Sequence, residues 1–287
     1  MSTPVTESFT RPWPAPAKIN LFLHVTGRRQ DGYHDIQTLF QLLDWGDEIR
    51  IRPTDGPGIA RLPVSYGVDA ADDLVVRAAK LLQAETACGL GAEIGVLKRI
   101  PPGSGMGGGS SDAATVLLVL NRLWDCRLDL GDLARIGAGL GADVPVFIHG
   151  RSAMAEGIGE RLEVVSLGER HYVLVFPDFP ISTEQVFSDP GLARNSKRIS
   201  LDQALAGEGR NDCEAVVRER FPAFDRMMEA LEKWGRPAMT GTGSGIFIPV
   251  PDKKSAMSAT QAIKNLYNVR AVCGIEQSPV HEILDGC

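Results

Sequence analysis

The sequence predicts an α+β protein in two parts, and three observations carry that expectation. Residues 16–25 alternate apolar and polar side chains as a half-buried strand does, residues 103–109 hold five glycines and run straight into an amphipathic helix, and from His171 onward strands and helices mix without regular strand-helix alternation. With 287 residues, 44% hydrophobic and 23% charged, the chain is long enough for one large domain or two. The boundary is expected at about 160–170, giving parts 1–166 and 167–287.

In the strand over 16–25, Ile19, Leu21, Leu23 and Val25 fall on one face and Lys18, Asn20, Phe22 and His24 on the other, so Lys18 and Asn20 point the same way. Residues 27–34 form a turn-rich loop containing Tyr33 and His34, 36–43 an apolar segment and 47–52 a further strand. Residues 74–82 read as a helix with one apolar face, and 92–100 as a strand feeding the glycines. In the next helix Ser110 or Ser111 is the expected cap, Asp112 lies in the first turn, and Ala113, Val116, Leu117, Leu120, Leu123 and Trp124 form an apolar stripe. Residues 133–140 are a short helix stopped by Gly141, and Asp143 stands where helix is expected to give way to strand. The second part opens with the β-branched and aromatic strand His171–Phe176. Helices near 200–205, 212–219 and 224–234, a strand at 246–250, a helix over 254–266 and a strand over 268–273 complete it.

Composition excludes several classes of function. A net charge of −6 argues against a general nucleic-acid binder, whose affinity for phosphate chains rests on basic surface. No stretch approaches the roughly 20 apolar residues of a membrane helix, and residues 1–14 show neither the basic start nor the apolar centre of a signal peptide, so a soluble cytoplasmic protein is expected. Five cysteines, at 88, 126, 213, 273 and 287, show no Cys-x-x-Cys spacing and suggest neither a disulfide framework nor a zinc site.

The run Pro101-Pro-Gly-Ser-Gly-Met-Gly-Gly-Gly-Ser-Ser-Asp-Ala-Ala114 has the form of a phosphate cradle. Glycines let backbone N–H groups approach an anion closely, and the following helix offers its unpaired donors and positive dipole end. The lysine of a Walker loop is missing, and the bare Gly-x-Gly-x-x-Gly spacing lacks the strand junction and downstream acidic residue of a dinucleotide site. An anionic ligand must then be met by local positive features, among them Lys18, Arg28, Arg29, Lys98, Arg99 and the helix N-terminus.

This loop resembles the second motif of the GHMP kinase superfamily. Three further segments resemble that superfamily in the same order: Pro16-Ala-Lys-Ile-Asn-Leu-Phe-Leu with Asp31-Gly-Tyr-His34, Leu140-Gly-Ala-Asp-Val-Pro-Val-Phe147, and Gly241-Thr-Gly-Ser-Gly245. The resemblance runs from about residue 14 to near the C-terminus. It implies a two-domain fold, an N-terminal domain with the glycine loop and a ferredoxin-like C-terminal domain, with the active site between them. It also implies an ATP-dependent kinase acting on a hydroxyl of a small molecule, here a polyol linked to cytidine diphosphate, with Mg²⁺ arriving on ATP. Asp143 then takes the place of the catalytic base and Lys18 that of its companion, which can polarise the hydroxyl or steady the transferring phosphoryl group. ATP falls to Pro101, Gly103, Ser104, Gly105, Gly107, Gly108, Gly109, Ser110 and Ser111, with Lys98 and Asp73 at the base. The substrate falls to Asn20, Tyr33, His34, Thr183, Phe187, Gly241 and Gly243, with Tyr33 and Phe187 stacking on cytosine and His34 reading its edge.

The pattern is departed from in places. Asp73 stands where the superfamily's relevant branch has Asn, and a carboxylate cannot donate the amide's hydrogen bond, which leaves Lys98 as the nearest adenine contact. Apart from Asp143 no carboxylate presents itself as a Mg²⁺ ligand. Two other readings stay open: a different GHMP kinase acting on mevalonate, homoserine or a sugar, and a nucleotide-binding module without catalysis. Tyr33, His34 and Phe187 argue against the first, and the joint presence of Lys18 and Asp143 against the second. Oligomeric state is not legible.

Overall fold

The structure, a computed structural model, describes residues 11–63, 69 and 71–286. Of the sequence expectations, Cys287 and most of the 1–14 stretch lie outside these residues.

The first part is built on two long strands. β1 (Trp13–Arg28) and β2 (His34–Thr54) pair antiparallel, with Lys18 opposite Leu42 and Asn20 opposite Phe40, and three register shifts let the ribbon bend. The expected apolar segment 36–43 and strand 47–52 are therefore one strand of 21 residues. Its length is used in sections: residues 36–40 pair with β5 (Ala153–Gly157), 42–43 with β10 (Asn268–Ile275) and 48–54 with β4 (Gly91–Leu97). Short strands β3 (Ile59–Arg61) and β6 (Arg161–Val164), which carry little periodicity, extend the edges.

Helices α1 (Leu74–Thr86), α2 (Gly108–Leu123), α3 (Leu130–Ala138) and α4 (Val144–His149) cover one face of this sheet. Every residue of α2 from Ser111 to Leu120 is buried, so its apolar positions serve a central helix surrounded on all sides rather than one stripe. The start of α2 differs from expectation. Gly107, left-handed at φ 72°, occupies the cap position without a side-chain bond; Ser110 and Ser111 lie inside the helix, and Asp112 lies beyond the first turn. The glycine's freedom at positive φ lets the chain enter the helix before either serine could cap it. Asp143 likewise begins helix α4 instead of a strand, because Pro145 near its N-terminus is preset for a helical start.

The second part runs β7 (His171–Phe176), then α5 (Thr183–Ser188), α6 (Leu201–Leu205), α7 (Asp212–Arg220) and α8 (Pro222–Leu231), then β8 (Ala238–Met239), β9 (Ile246–Val250), α9 (Lys253–Ile263) and β10. With spatial order β10-β7-β9-β8 and antiparallel pairing throughout, this is the β-α-β-β-α-β arrangement of ferredoxin-like folds. Alternation along β7 sends Val173 and Val175 to the helix-covered core with Val217, Phe224 and Ile263. Tyr172, Leu174 and Phe176 face the other way, packing with Ile19, Ile100 and Met106 of the first part. The glycine loop and β1 thus meet the second sheet through an apolar layer. Helix α10 (Pro279–Asp285) then returns to the first core, where Val280 is 1% exposed.

Candidate active site

The glycine loop is held in shape from behind. Lys18 donates its backbone N–H to Met106, and the Gly241–Gly245 loop pairs with it through Ser244 N–H to Gly103 carbonyl at 3.0 Å and Gly245 N–H to Ser104 carbonyl at 3.1 Å. The approach is close enough that a Cβ on Gly105, itself at φ 70°, would sit 2.3 Å from the Thr240 carbonyl oxygen. The first and last glycine motifs, separated by some 140 residues, are thus one backbone structure. A cleft of about 450 Å³ opens along the loop, lined by Pro101 to Ser110, Asp112, Asp72, Asp73, Leu74 and Lys98.

Lys18 and Asn20 share a face of β1, as the alternation predicts, and both are 2% exposed. The Lys18 ammonium lies 3.1 Å from Asp143 Oδ2, donates to Asn20 Oδ1 at 2.7 Å and to the Gly105 carbonyl at 3.0 Å, and sits 5.2 Å above the Phe40 ring. Three oxygen acceptors hold this buried ammonium in place. Asn20 is fixed in turn: its side-chain amide donates to Thr38 Oγ1 and its backbone N–H to Thr240 Oγ1. Asp143 makes no capping bond to α4 despite its position at that helix, so its carboxylate faces Lys18 and remains part-exposed. Ser110 Oγ lies 3.5 Å from where a Cβ on Gly141 would be, close to the Asp143 loop.

At the other end of the loop, Lys98 donates to both Asp47 and Asp112. Burial opposes its charge, yet the two carboxylates hold its pKa above the ordinary lysine value. Burial pushes Asp112 up to about 8, with Asp47 adding to the rise and Lys98 opposing it. Asp112 Oδ1 and Ser111 Oγ are buried without a hydrogen-bond partner. Asp73 caps α1 through the Val75 N–H and pairs with Arg61 at 2.7 Å, so this carboxylate stands at the cleft wall as a helix cap.

Two of the residues expected to read a base, His34 and Phe187, meet where β2 begins and α5 ends. The rings of His34 and Phe187 stack directly, centroids 5.1 Å apart and 22° from parallel. Tyr33 is 60% exposed beside them. Arg194, which the sequence did not single out, donates Nε–H to His34 Nε2 at 3.1 Å and anchors the α5 end through the Phe187 and Asp189 carbonyls. Burial, then Arg194 and Arg28, lower the His34 pKa, so the ring is neutral near pH 7. Thr183 follows the true cap of α5, Ser182, and its hydroxyl lies 2.8 Å from that of Thr242 in the Gly241–Gly245 loop. Asn211 donates to the Gly241 carbonyl at 2.8 Å and ties that loop to α7. Thr38, Asn211, Asp47 and Arg194 carry no local motif; only chain folding brings them here.

Residues 73–151 match the GHMP kinases N-terminal domain. Over 272 residues the chain is 50% identical to the 4-diphosphocytidyl-2-C-methyl-D-erythritol kinase of Halorhodospira halophila, covering 94% of each protein. The chain belongs to this kinase family. The enzyme of the same name from Nitrosococcus oceani is 46% identical over 277 residues, covering 96% of this chain and 99% of that one. A crystal structure of 4-(cytidine 5'-diphospho)-2C-methyl-D-erythritol kinase superposes with a TM-score of 0.80 at 32% identity, over 92% of this chain and 100% of that one. A mevalonate kinase at 14% identity and TM-score 0.66 shares the fold. Family membership makes the chain a kinase with ATP as co-substrate, and its two-part α+β architecture is that of the GHMP kinases. Among the described residues no helix is long and apolar enough to cross a membrane.

Proposed function

We propose that this chain transfers the γ-phosphoryl group of ATP to a hydroxyl of the erythritol moiety of 4-diphosphocytidyl-2-C-methyl-D-erythritol, a step toward isoprenoid precursors by the non-mevalonate route, in the cytoplasm. The observation that carries the chemistry is the buried Lys18 ammonium 3.1 Å from Asp143, set directly behind the glycine loop. The hydroxyl oxygen forms the new bond to phosphorus, the bond from the γ-phosphorus to the β–γ bridging oxygen breaks, and ADP leaves. Asp143 takes the hydroxyl proton, and Lys18 meets charge building on the transferring group. Such a reaction asks the protein chiefly for alignment and charge neutralisation.

In this reading the loop from Pro101 to Ser111 and the α2 N-terminus cradle the phosphates, and Lys98 and Asp73 flank the base of ATP. Asn20, Tyr33, His34, Thr183, Phe187, Gly241 and Gly243 hold the cytidine-linked substrate between parts 1–166 and 167–287. Cytosine enters beside His34 and Phe187, which requires the two rings to part or the base to stack on Tyr33 and the outer face of the pair. Mg²⁺ arriving with ATP fits the donors present: Ser110 lies by the loop, and Asp143 is a part-exposed carboxylate facing Lys18. A cation held largely by phosphates needs few protein ligands, and it would neutralise phosphate charge.

The test is ADP release over a panel of polyols with and without a cytidine diphosphate group. Turnover should require the cytidine group; turnover confined to unsubstituted polyols would overturn the reading.

A further inference from the structure

We propose that Glu169, His171 and Cys273 form a second, metal-binding site, built for one divalent cation of the zinc type and separate from the nucleotide cleft. The three side chains come together because β7 and β10 pair antiparallel with His171 directly opposite Cys273, on one face of the sheet, and Glu169 precedes His171 by two residues. His171 Nε2 lies 3.2 Å from Glu169 Oε1, Cys273 Sγ lies 4.0 Å from the same oxygen, and the three donor atoms are all within 4.8 Å of one another.

Tetrahedral zinc, with bonds of about 2.0 Å to nitrogen and oxygen and about 2.3 Å to sulfur, places its donor atoms roughly 3.3–3.5 Å apart. The nitrogen and oxygen already have that separation, the sulfur must close on the oxygen by about half an ångström, and all three atoms start within 4.8 Å of one another. A Glu–His ion pair accounts for two of the three groups, and the Cys273 thiol, which reaches Glu169 Oε1 and also the Gly274 carbonyl at 3.3 Å, would exchange these contacts for the metal. Thiolate and imidazole are donors that a zinc-type cation prefers and Mg²⁺ does not.

The backbone around the site is fixed. Cys273 N–H donates to Asp44 Oδ1 at 2.8 Å, Gly274 N–H to the Arg170 carbonyl at 2.7 Å, and the N–H groups of Leu167 and Gly168 to Glu276. Four more charged residues lie near: Asp44 and Lys253 by Cys273, Asp252 by His171, and Arg170 adjoining both. With Glu169 counted beside Asp44 and Asp252, negative charge exceeds the positive charge of Lys253 and Arg170. Glu169 is exposed and the other two are half-buried, so a cation can enter from solvent and water can complete its shell. Bound metal would clamp the 165–170 loop to β10 without touching Lys18 or Asp143.

The experiment uses the full chain without nucleotide, in a background carrying Cys88→Ser, Cys126→Ser and Cys287→Ser so that these thiols do not compete. Zn²⁺ is titrated against a chromophoric chelator, and Co²⁺ is followed by its visible and thiolate charge-transfer absorption. One equivalent should bind, and Zn²⁺, but not Mg²⁺, should raise the melting temperature. Cys273→Ser and His171→Ala should each weaken binding by about tenfold or more, Cys273→Ser should abolish the charge-transfer band, and turnover should be unchanged. Glu169→Gln, at an exposed position, gives the same reading should either of the others fail to fold. Absence of stoichiometric binding, or binding indifferent to Cys273→Ser and Glu169→Gln, would overturn the proposal.

Discussion

At the residue scale the centre is Lys18, whose ammonium organises Asn20, Gly105 and Asp143 at once. Asp143→Asn keeps the shape and loses the proton acceptor, so turnover should fall ~10²–10⁴-fold while ATP binding is retained, as measured by single-turnover kinetics beside an ATP titration. Near-parental turnover would remove Asp143 from the chemistry. His34 offers a second test. Arg194 donates to Nε2, which leaves the proton of the neutral ring on Nδ1 as the donor available to a base. His34→Ala should weaken the cytidine substrate by about 1–3 kcal/mol, and Arg194→Met should weaken it too by freeing the tautomer, with ATP affinity unmoved. Because the His34 pKa is lowered, substrate affinity should stay level from pH 8 down past the ordinary histidine value and fall only below it. Loss of affinity already beginning near pH 7 would contradict a neutral reader.

At the element scale the glycine loop and α2 act as one piece. A Cβ on Gly105 would strain the left-handed backbone and strike the Thr240 carbonyl, so Gly105→Ala should cost about 1–3 kcal/mol of stability from strain alone and weaken ATP as the two loops part. Gly108→Val would press on Lys98 and Ile100, and calorimetry should show ATP weakened more than the cytidine substrate. The helix also carries a pH signature. Unfolded, Asp112 ionises near 4; folded, burial delays ionisation to about 8, so the native state holds the extra proton between those values. Stability should therefore decline as pH rises through that window, and Asp112→Asn should flatten the decline in denaturant melts taken at pH 5, 6, 7 and 8. An unchanged slope would place the titration elsewhere.

At the scale of the whole molecule the two parts share their cores. β1 contributes Ala15 to the first and Leu23 and Val25 to the second, β10 hydrogen-bonds to β2, and α10 brings Val280 back to the first. Separate unfolding would break all three connections, so the chain should melt as one unit. Variants retaining only Trp124, in the first core, or only Trp234, against the second, should report the same denaturation midpoint by fluorescence. Two separated midpoints would show independent domains.

The sequence by itself determined whatever is local. The alternation placing Lys18 beside Asn20, the glycine run with its helix, the β-branched His171–Phe176 strand and the motif order are properties of short segments, and each is legible because backbone sterics and hydrophobic period act over a few residues. Helix starts were less legible, because a left-handed glycine or a proline set them where serine or aspartate offered the more familiar signal. Only the tertiary structure decided what depends on distant partners. Asp73 became a helix cap paired with Arg61, Asp112 turned to Lys98 and rose in pKa through burial, Arg194 came to hold His34, and Cys273 met His171 across paired strands. Which polar groups meet, and how far water is excluded from them, is fixed by packing among segments far apart in the chain, and short-range sequence pattern does not encode it.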